Sequence, residues 1–258
     1  MTEAPLLRVR NLGRNYGRTV AVKDVSFDLW PGEALGIIGE SGSGKTTLLN
    51  CLFGGLEPHA GTIEYRQRDD AVVDVALLSE ARRRLLMRTE WGFVHQNPHD
   101  GLRMSLSAGA NVGERLMAVG ERVYHSIRSE ATDWLRKVEM DVARIDDLPR
   151  SFSGGMQQRL QIARNLVNRP RLVFMDEPTG GLDVSVQARL LDLLRGLVAD
   201  LGLSVVVVTH DLGVVRLLTH RLMVMQAGEV VEQGLTDQVL DDPQHPYSQL
   251  LVASVLPT

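Results

Sequence analysis

Gly39-Glu40-Ser41-Gly42-Ser43-Gly44-Lys45-Thr46 constrains this chain more than any other stretch. An apolar run, Ala34-Leu35-Gly36-Ile37-Ile38, leads into it. Thr47-Leu48-Leu49-Asn50-Cys51-Leu52 follows with apolar residues at helical spacing, so the order reads strand, glycine loop, helix. Gly39, Gly42 and Gly44 let successive backbone N–H groups converge on one point. The helix N-terminus adds partial positive charge, and Lys45 adds a full one. A chain of oxyanions fits there. The hydroxyl of Thr46 lies at the mouth of the loop, where a Mg²⁺ shared between two phosphates meets it, and Thr47 continues the helix start. The alternative is a glycine-rich turn that binds nothing, and the match of every motif position in this context weighs against it. The stretch predicts a nucleoside triphosphate site.

Composition is compatible with such a site without pointing to it. With 258 residues, 44% hydrophobic and 23% charged, the chain can bury a sizeable core and reads as globular. No segment approaches the ~20 apolar residues that cross a bilayer. Met1-Thr2-Glu3-Ala4-Pro5 lacks the positive charge and apolar core of a leader, so a cytoplasmic location with no membrane insertion is expected. The single cysteine, Cys51, leaves no pair for an internal disulfide and no cysteine cluster for metal. A net charge of −4 argues against nucleic acid as a partner.

Along the chain, Leu6 to Val9 and Val20 to Leu29 read as antiparallel strands separated by Gly13, Gly17 and a polar turn. Tyr16 lies between them, and its ring either stacks on a base or packs on strand neighbours. Thr62 to Tyr65 alternates as an exposed strand. A helix is expected over Glu80 to Arg88, its arginines forming a solvated face. Trp91 to Val94 is a short apolar strand ending at His95-Gln96, which makes Gln96 a candidate to reach a metal or an attacking water. From Asn97 to about Pro149 helical spacing dominates, with Ile127, Ala131, Trp134 and Val138 on one stripe, and a helical lobe inserted into the sheet domain is expected. His99 and His125 fall within it without metal-ligand spacing.

Ser153-Gly154-Gly155-Met156-Gln157 opens a second helix with a serine cap and two glycines, a second anion-binding start in one chain. Taken alone, an ordinary capped helix is the favoured reading. Leu172 to Met175 is a buried strand ending in Asp176-Glu177. Asp176 is placed to hold Mg²⁺, and Glu177 to orient or deprotonate water. Two adjacent acids there have no structural rationale, because burying an unpaired carboxylate is costly. After a loop to Asp183 and a helix from about Ser185 to Asp200, Ser204 to Val208 forms another buried strand. His210 follows it, placed to reach a terminal phosphate.

This set, from Tyr16 through the glycine loop, Gln96, Ser153-Gly154-Gly155, Asp176-Glu177 and Asp183 to His210, resembles the ATPase domain of ABC proteins over nearly the whole chain. The resemblance implies an α/β ABC-ATPase fold with a mixed sheet core carrying the phosphate loop, an antiparallel β subdomain and an inserted helical subdomain. It divides the chain into a core (1–96 and 156–235), a helical subdomain (97–155) and a helical tail (236–258). It implies ATP and Mg²⁺ as cofactors, with Tyr16 stacking on adenine and Gly39, Glu40, Ser41, Gly42, Ser43, Gly44, Lys45, Thr46 and Thr47 around the phosphates. Thr46, Gln96 and Asp176 would serve the metal, and Lys45, Gln96, Glu177 and His210 the hydrolysis. Ser153, Gly154, Gly155, Gln157 and Asp183 would complete the ATP site of the other subunit in a head-to-tail homodimer. That arrangement answers the puzzle of two anion-binding helix starts.

Within the family the chain resembles the ATPases of the bacterial carbon–phosphorus lyase system, which degrades phosphonates. The resemblance is carried by Arg88-Thr89-Glu90-Trp91-Gly92, His95-Gln96-Asn97-Pro98, Asn111-Val112-Gly113-Glu114 and Pro178-Thr179-Gly180-Gly181-Leu182-Asp183. It implies a dimer acting on the soluble lyase core through its radical-bearing subunit PhnJ, with room for a second ABC-type ATPase. ATPases of dipeptide or oligopeptide importers are the second match, and the tail His245-Pro246-Tyr247 is shared with them. Those importers usually carry Ser-Ala where this chain has Gly180-Gly181. A DNA-repair-type ATPase is the third class, and it would favour a basic groove or a long inserted arm.

Overall fold

The computed structural model describes residues 4–255; Met1, Thr2 and Glu3, which enter the argument against a leader, and Leu256 to Thr258 lie outside the described residues. The chain forms two compact units. One runs from the N-terminus to Arg83 and resumes at Gly202, and the other is Arg84–Leu201.

The first unit opens with β1 (Leu7–Tyr16) and β2 (Thr19–Leu29), an antiparallel hairpin turning at Gly17-Arg18. Strand β1 is longer than its apolar run suggests. Instead of ending the strand, Gly13 is absorbed where the register shifts, so Tyr16 is the last strand residue and not part of a connection. β3 (Ala34–Ile38) is buried at every position and delivers the chain to α1 (Lys45–Phe53). β4 (Ala60–Arg66) pairs with β1, and β5 (Val72–Asp74) with β4, giving an antiparallel sheet in the order β2-β1-β4-β5. Ile63 and Tyr65 of β4 turn fully inward, so this strand is exposed on one face only. α2 (Glu80–Thr89) follows, with Leu86 buried and Arg82 and Arg84 exposed.

In the second unit β6 (Trp91–Val94) pairs in parallel with β7 (Leu172–Asp176), Trp91 opposite Leu172 and Val94 opposite Met175. Between the two strands the described regular elements are all helical: α3 (Pro98–Gly101), α4 (Ala108–Ala118), α5 (Tyr124–Lys137), short 3₁₀ turns, and α6 (Gly154–Leu166). Asn97 and Ser107 cap α3 and α4 by accepting the N–H of His99 and Ala110. Ala131, Trp134 and Val138 are fully buried, as their helical spacing requires. Trp91 and Phe174 meet edge to face, ring centroids 5.4 Å apart, and both are fully buried, so truncating Phe174 to Ala costs about 3–5 kcal/mol. α7 (Val184–Leu201) closes this unit.

The first unit resumes with β8 (Ser204–Val208), α8 (Leu212–Leu218), β9 (Arg221–Gln226), β10 (Glu229–Leu235), α9 (Thr236–Asp241) and α10 (Pro246–Val255). β3 lies between β8 and β9 in parallel, Ile37 opposite Val208 and Met223, while β10 returns antiparallel on β9. β3 and β8 are continuous apolar runs because both of their faces are covered. Ile38, Leu222 and Val224 form one apolar cluster with Leu212, Val239, Leu240 and Val252 from the helices, and this packing seats the end of β3. No described helix is long and apolar enough to cross a membrane.

Candidate nucleotide site

In the first unit the chain leaves β3 through Gly39 into a loop that only glycine can follow. A Cβ on Gly39 would sit 2.2 Å from the Met225 carbonyl oxygen, and one on Gly44 2.0 Å from that of Ala21. Gly44, at φ +103, is also the N-cap of α1, and no side chain caps this helix. The partial positive charge of the α1 N-terminus is therefore not met by a capping side chain of its own. Lys45 is buried, and its Nζ donates to the carbonyls of Gly39 and Glu40, each at 2.8 Å, folding the ammonium back over the loop. Glu40, Ser41 and Gly42 are exposed, as is Thr46, with Thr47 half-buried behind it. The Ser43 hydroxyl is buried with no hydrogen-bond partner among the described residues. Glycines where a Cβ would collide, an ammonium folded over the loop and an unused buried hydroxyl fit a polyphosphate.

His210 emerges on the same edge. Thr209 donates its N–H to the Ile37 carbonyl at 3.2 Å, so the end of β8 runs beside the end of β3, and the His210 side chain is exposed. Tyr16 is 50% exposed at the end of β1, with the Arg14 guanidinium 5.2 Å from its ring centroid. The Arg14 guanidinium, from the same strand, covers one face of the half-exposed ring.

In the second unit the register of β6 on β7 brings Gln96 and Asp176-Glu177 to one edge. Gln96 is exposed and lies against Gly180, where a Cβ would come within 3.3 Å of the Gln96 Nε2. Glu177 holds φ 45, a left-handed conformation that costs a non-glycine residue of order 1 kcal/mol or more, and its carbonyl accepts the Gly180 N–H at 2.9 Å. Gly181, at φ +75, tightens the turn further.

Ser153 caps α6, its hydroxyl accepting the Met156 N–H at 3.4 Å, and both Ser153 and Gly154 are exposed. A Cβ on Gly155 would press within 2.6 Å of Val186, so the glycine lets α6 lie close to the start of α7. Gln157 does not face outward as a ligand-binding residue would. It is buried, and its Nε2 donates to the carbonyls of Pro149 and Phe152, holding the approach to α6. Asp183 is exposed at the start of α7, its carbonyl accepting the N–H groups of Val186 and Gln187.

The buried amides of α6 were not anticipated. Gln158 Nε2 donates to the Pro178 carbonyl at 2.9 Å and to that of His95 at 3.3 Å. Gln161 takes the His95 N–H at 2.7 Å and returns its own N–H to the same residue, and Asn165 accepts from the Phe93 N–H at 3.1 Å. Together they tie the ends of β6 and β7 to the helix that Ser153 opens. The signal available in the sequence was amides at helical spacing on an otherwise apolar face. Burial lowers the pKa of His95, against the opposing pull of Asp100, which keeps the imidazole beside Gln96 neutral. Among the described residues no group of His, Cys, Asp and Glu is arranged to hold a metal by itself.

Comparison with known proteins follows this geometry. Residues 22–180 match the ABC transporter family. A protein of Escherichia coli (strain K12) named as the phosphonates utilization ATP-binding protein PhnK is 66% identical over 252 residues, covering 98% of each chain. One of Brucella ovis named as a peptide import ATP-binding protein is 36% identical over 259 residues, 99% of this chain and 80% of that protein. Among solved structures, the dimeric post-hydrolysis state of the ATP-binding cassette MJ0796 bound to ADP and Pi superposes with a TM-score of 0.78 at 30% identity, over 89% of this chain and 98% of that one. The cassette cbiO1 of Clostridium perfringens, part of the transporter complex cbiONQ, gives a TM-score of 0.79 at 30% identity over 93% of this chain. The chain belongs to the ABC transporter family and is an ABC-type ATPase.

Proposed function

We propose that this ATPase serves organic phosphonate catabolism, as a cytoplasmic, ATP-driven homodimer acting on the soluble carbon–phosphorus lyase core at its PhnJ-containing face, with room for a second ABC-type ATPase. The observation that carries this reading is the 66% identity to PhnK over 98% of both chains, against 36% to the peptide import relative. The geometry after Glu177 adds to it. An alanine at Gly181 would have to adopt φ +75, and a Cβ on Gly180 would come within 3.2–3.3 Å of the Glu177 carbonyl and Gln96, so the Gly-Gly pair suits this tight turn. The helices that fill the stretch between β6 and α6 support a helical subdomain over 97–155, beside a proposed core of 1–96 and 156–235 and a proposed tail of 236–258.

In the proposed cycle Lys45 leaves the carbonyls of Gly39 and Glu40 for phosphate oxygens, and the N-terminus of α1 neutralises their charge. Thr46, Gln96 and Asp176 would hold Mg²⁺, which would supply Lewis-acid neutralisation of the phosphates. Glu177 orients the attacking water, His210 hydrogen-bonds the terminal phosphate, and Tyr16 stacks on adenine. Ser153, Gly154, Gly155 and Asp183 face the partner's nucleotide, with Gln157 shaping the loop before them. MJ0796, whose dimeric structure holds ADP and Pi, supports the dimeric part of the reading.

Affinity capture of the Glu177→Gln protein with ATP and Mg²⁺, with partners identified by mass spectrometry in soluble and detergent-extracted fractions, tests the assignment. Soluble lyase subunits are expected. Recovery of a multi-span permease would make the chain an importer motor instead, the reading favoured by its likeness to the peptide import relatives.

A further inference from the structure

The tail, which the ATPase motifs leave unused, is clamped onto the first unit. The Glu232 carboxylate of β10 accepts the N–H groups of Gln244 at 2.8 Å and His245 at 3.0 Å. His245 Nδ1 then accepts the N–H of Tyr247 at 3.2 Å, and Pro246 starts α10 at a position where a missing N–H costs nothing. The Tyr247 ring packs against the apolar cluster that includes Ile38, the last residue of β3. Its hydroxyl oxygen accepts the backbone N–H of Glu40 at 2.9 Å.

That N–H belongs to the peptide joining Gly39 to Glu40. The carbonyl of the same peptide, on Gly39, accepts from Lys45 Nζ at 2.8 Å. In a trans peptide the two groups point opposite ways, so Tyr247 and Lys45 brace one plane from its two sides. Glycine at position 39 leaves that plane otherwise easy to rotate, since it has no side chain to anchor it. A phosphate that draws Lys45 away removes one brace and leaves the other.

We infer that Tyr247 is a positioning residue for nucleotide binding, its hydroxyl holding the Gly39–Glu40 peptide in the orientation the phosphates need while Lys45 changes partners. The inference rests on the loop being the ATP site. One hydrogen bond of this kind, removed with the ring kept, corresponds to a change of about 3- to 10-fold in affinity.

The test is calorimetric titration of ATP with Mg²⁺ into the wild-type chain, Tyr247→Phe and Lys45→Ala, alongside steady-state hydrolysis and thermal melting. Tyr247→Phe is expected to raise the Kd for ATP about 3- to 10-fold and KM in parallel, with kcat within about twofold and the melting temperature held by the retained ring. Glu232→Ala, which releases Gln244 and His245 from β10, is expected to shift Kd in the same direction. A purely structural tyrosine would lower the melting temperature and leave Kd unmoved. Wild-type Kd and KM in Tyr247→Phe, with binding lost in Lys45→Ala, would overturn the role of Tyr247 alone. Unchanged binding in Lys45→Ala would overturn both it and the ATP site it serves.

Discussion

Two helices in this chain start on glycine-rich turns, and they are finished differently. α6 is complete in itself: Ser153 caps it, Gln157 holds the loop before it, and Gly155 seats it against α7. α1 is not. No side chain caps it, Gly39 and Gly44 are forced by backbone oxygens on which a Cβ would collide, and a lysine is stored over its approach. A helix start finished by its own chain can be offered to another molecule without reorganising. One left unfinished must be completed by its ligand. The difference fits the proposed division of labour, in which α1 would bind the chain's own ATP and α6 would serve the partner's.

The largest break in this comparison is Lys45→Ala, expected to weaken ATP binding by more than about 100-fold by calorimetry, because the loop loses its only full positive charge. Glu177→Gln is expected to leave that affinity intact and slow single-turnover hydrolysis by about 100-fold, roughly 3 kcal/mol of barrier. Normal turnover would assign the water to another residue. Tyr16→Ala sharpens the picture on the base side. Losing a stacked ring weakens ATP binding by about 10-fold, with a smaller loss for a nucleotide lacking the base, measured by competition. The smallest effect falls on the self-sufficient helix: Ser153→Ala removes a cap and costs about 1 kcal/mol in denaturant unfolding, with ATP affinity of the monomer unchanged.

Much of this architecture was legible in the sequence where chemistry and local pattern coincide. The strand–loop–helix at Gly39 to Thr46, the bounds of β6, the acids closing β7 and the serine cap of α6 all follow from short-range rules, and the structure has them where those rules put them. Gly13 misled because a glycine in an apolar run reads equally as a break or a bulge, and only the partner strand decides. Gln157 was open to two readings, since an amide beside a signature turn can face a ligand or its own backbone, and its Nε2 bonds the backbone here. Helical spacing puts Gln158, Gln161 and Asn165 on one face, but the partners of that amide clamp and of the Tyr247 hydroxyl were out of reach. Those partners lie tens to hundreds of residues away, and no local period encodes them.

The measurement that bears most directly on the division of labour is the oligomeric state of the Glu177→Gln protein in ATP and Mg²⁺, by size exclusion with light scattering, with and without Ser153→Glu. The account predicts an ATP-dependent dimer from Glu177→Gln and a monomer of undiminished ATP affinity from the double variant, because the added carboxylate repels the partner's phosphates. A double variant that dimerises as well as the single one would contradict it and return α6 to an ordinary capped helix.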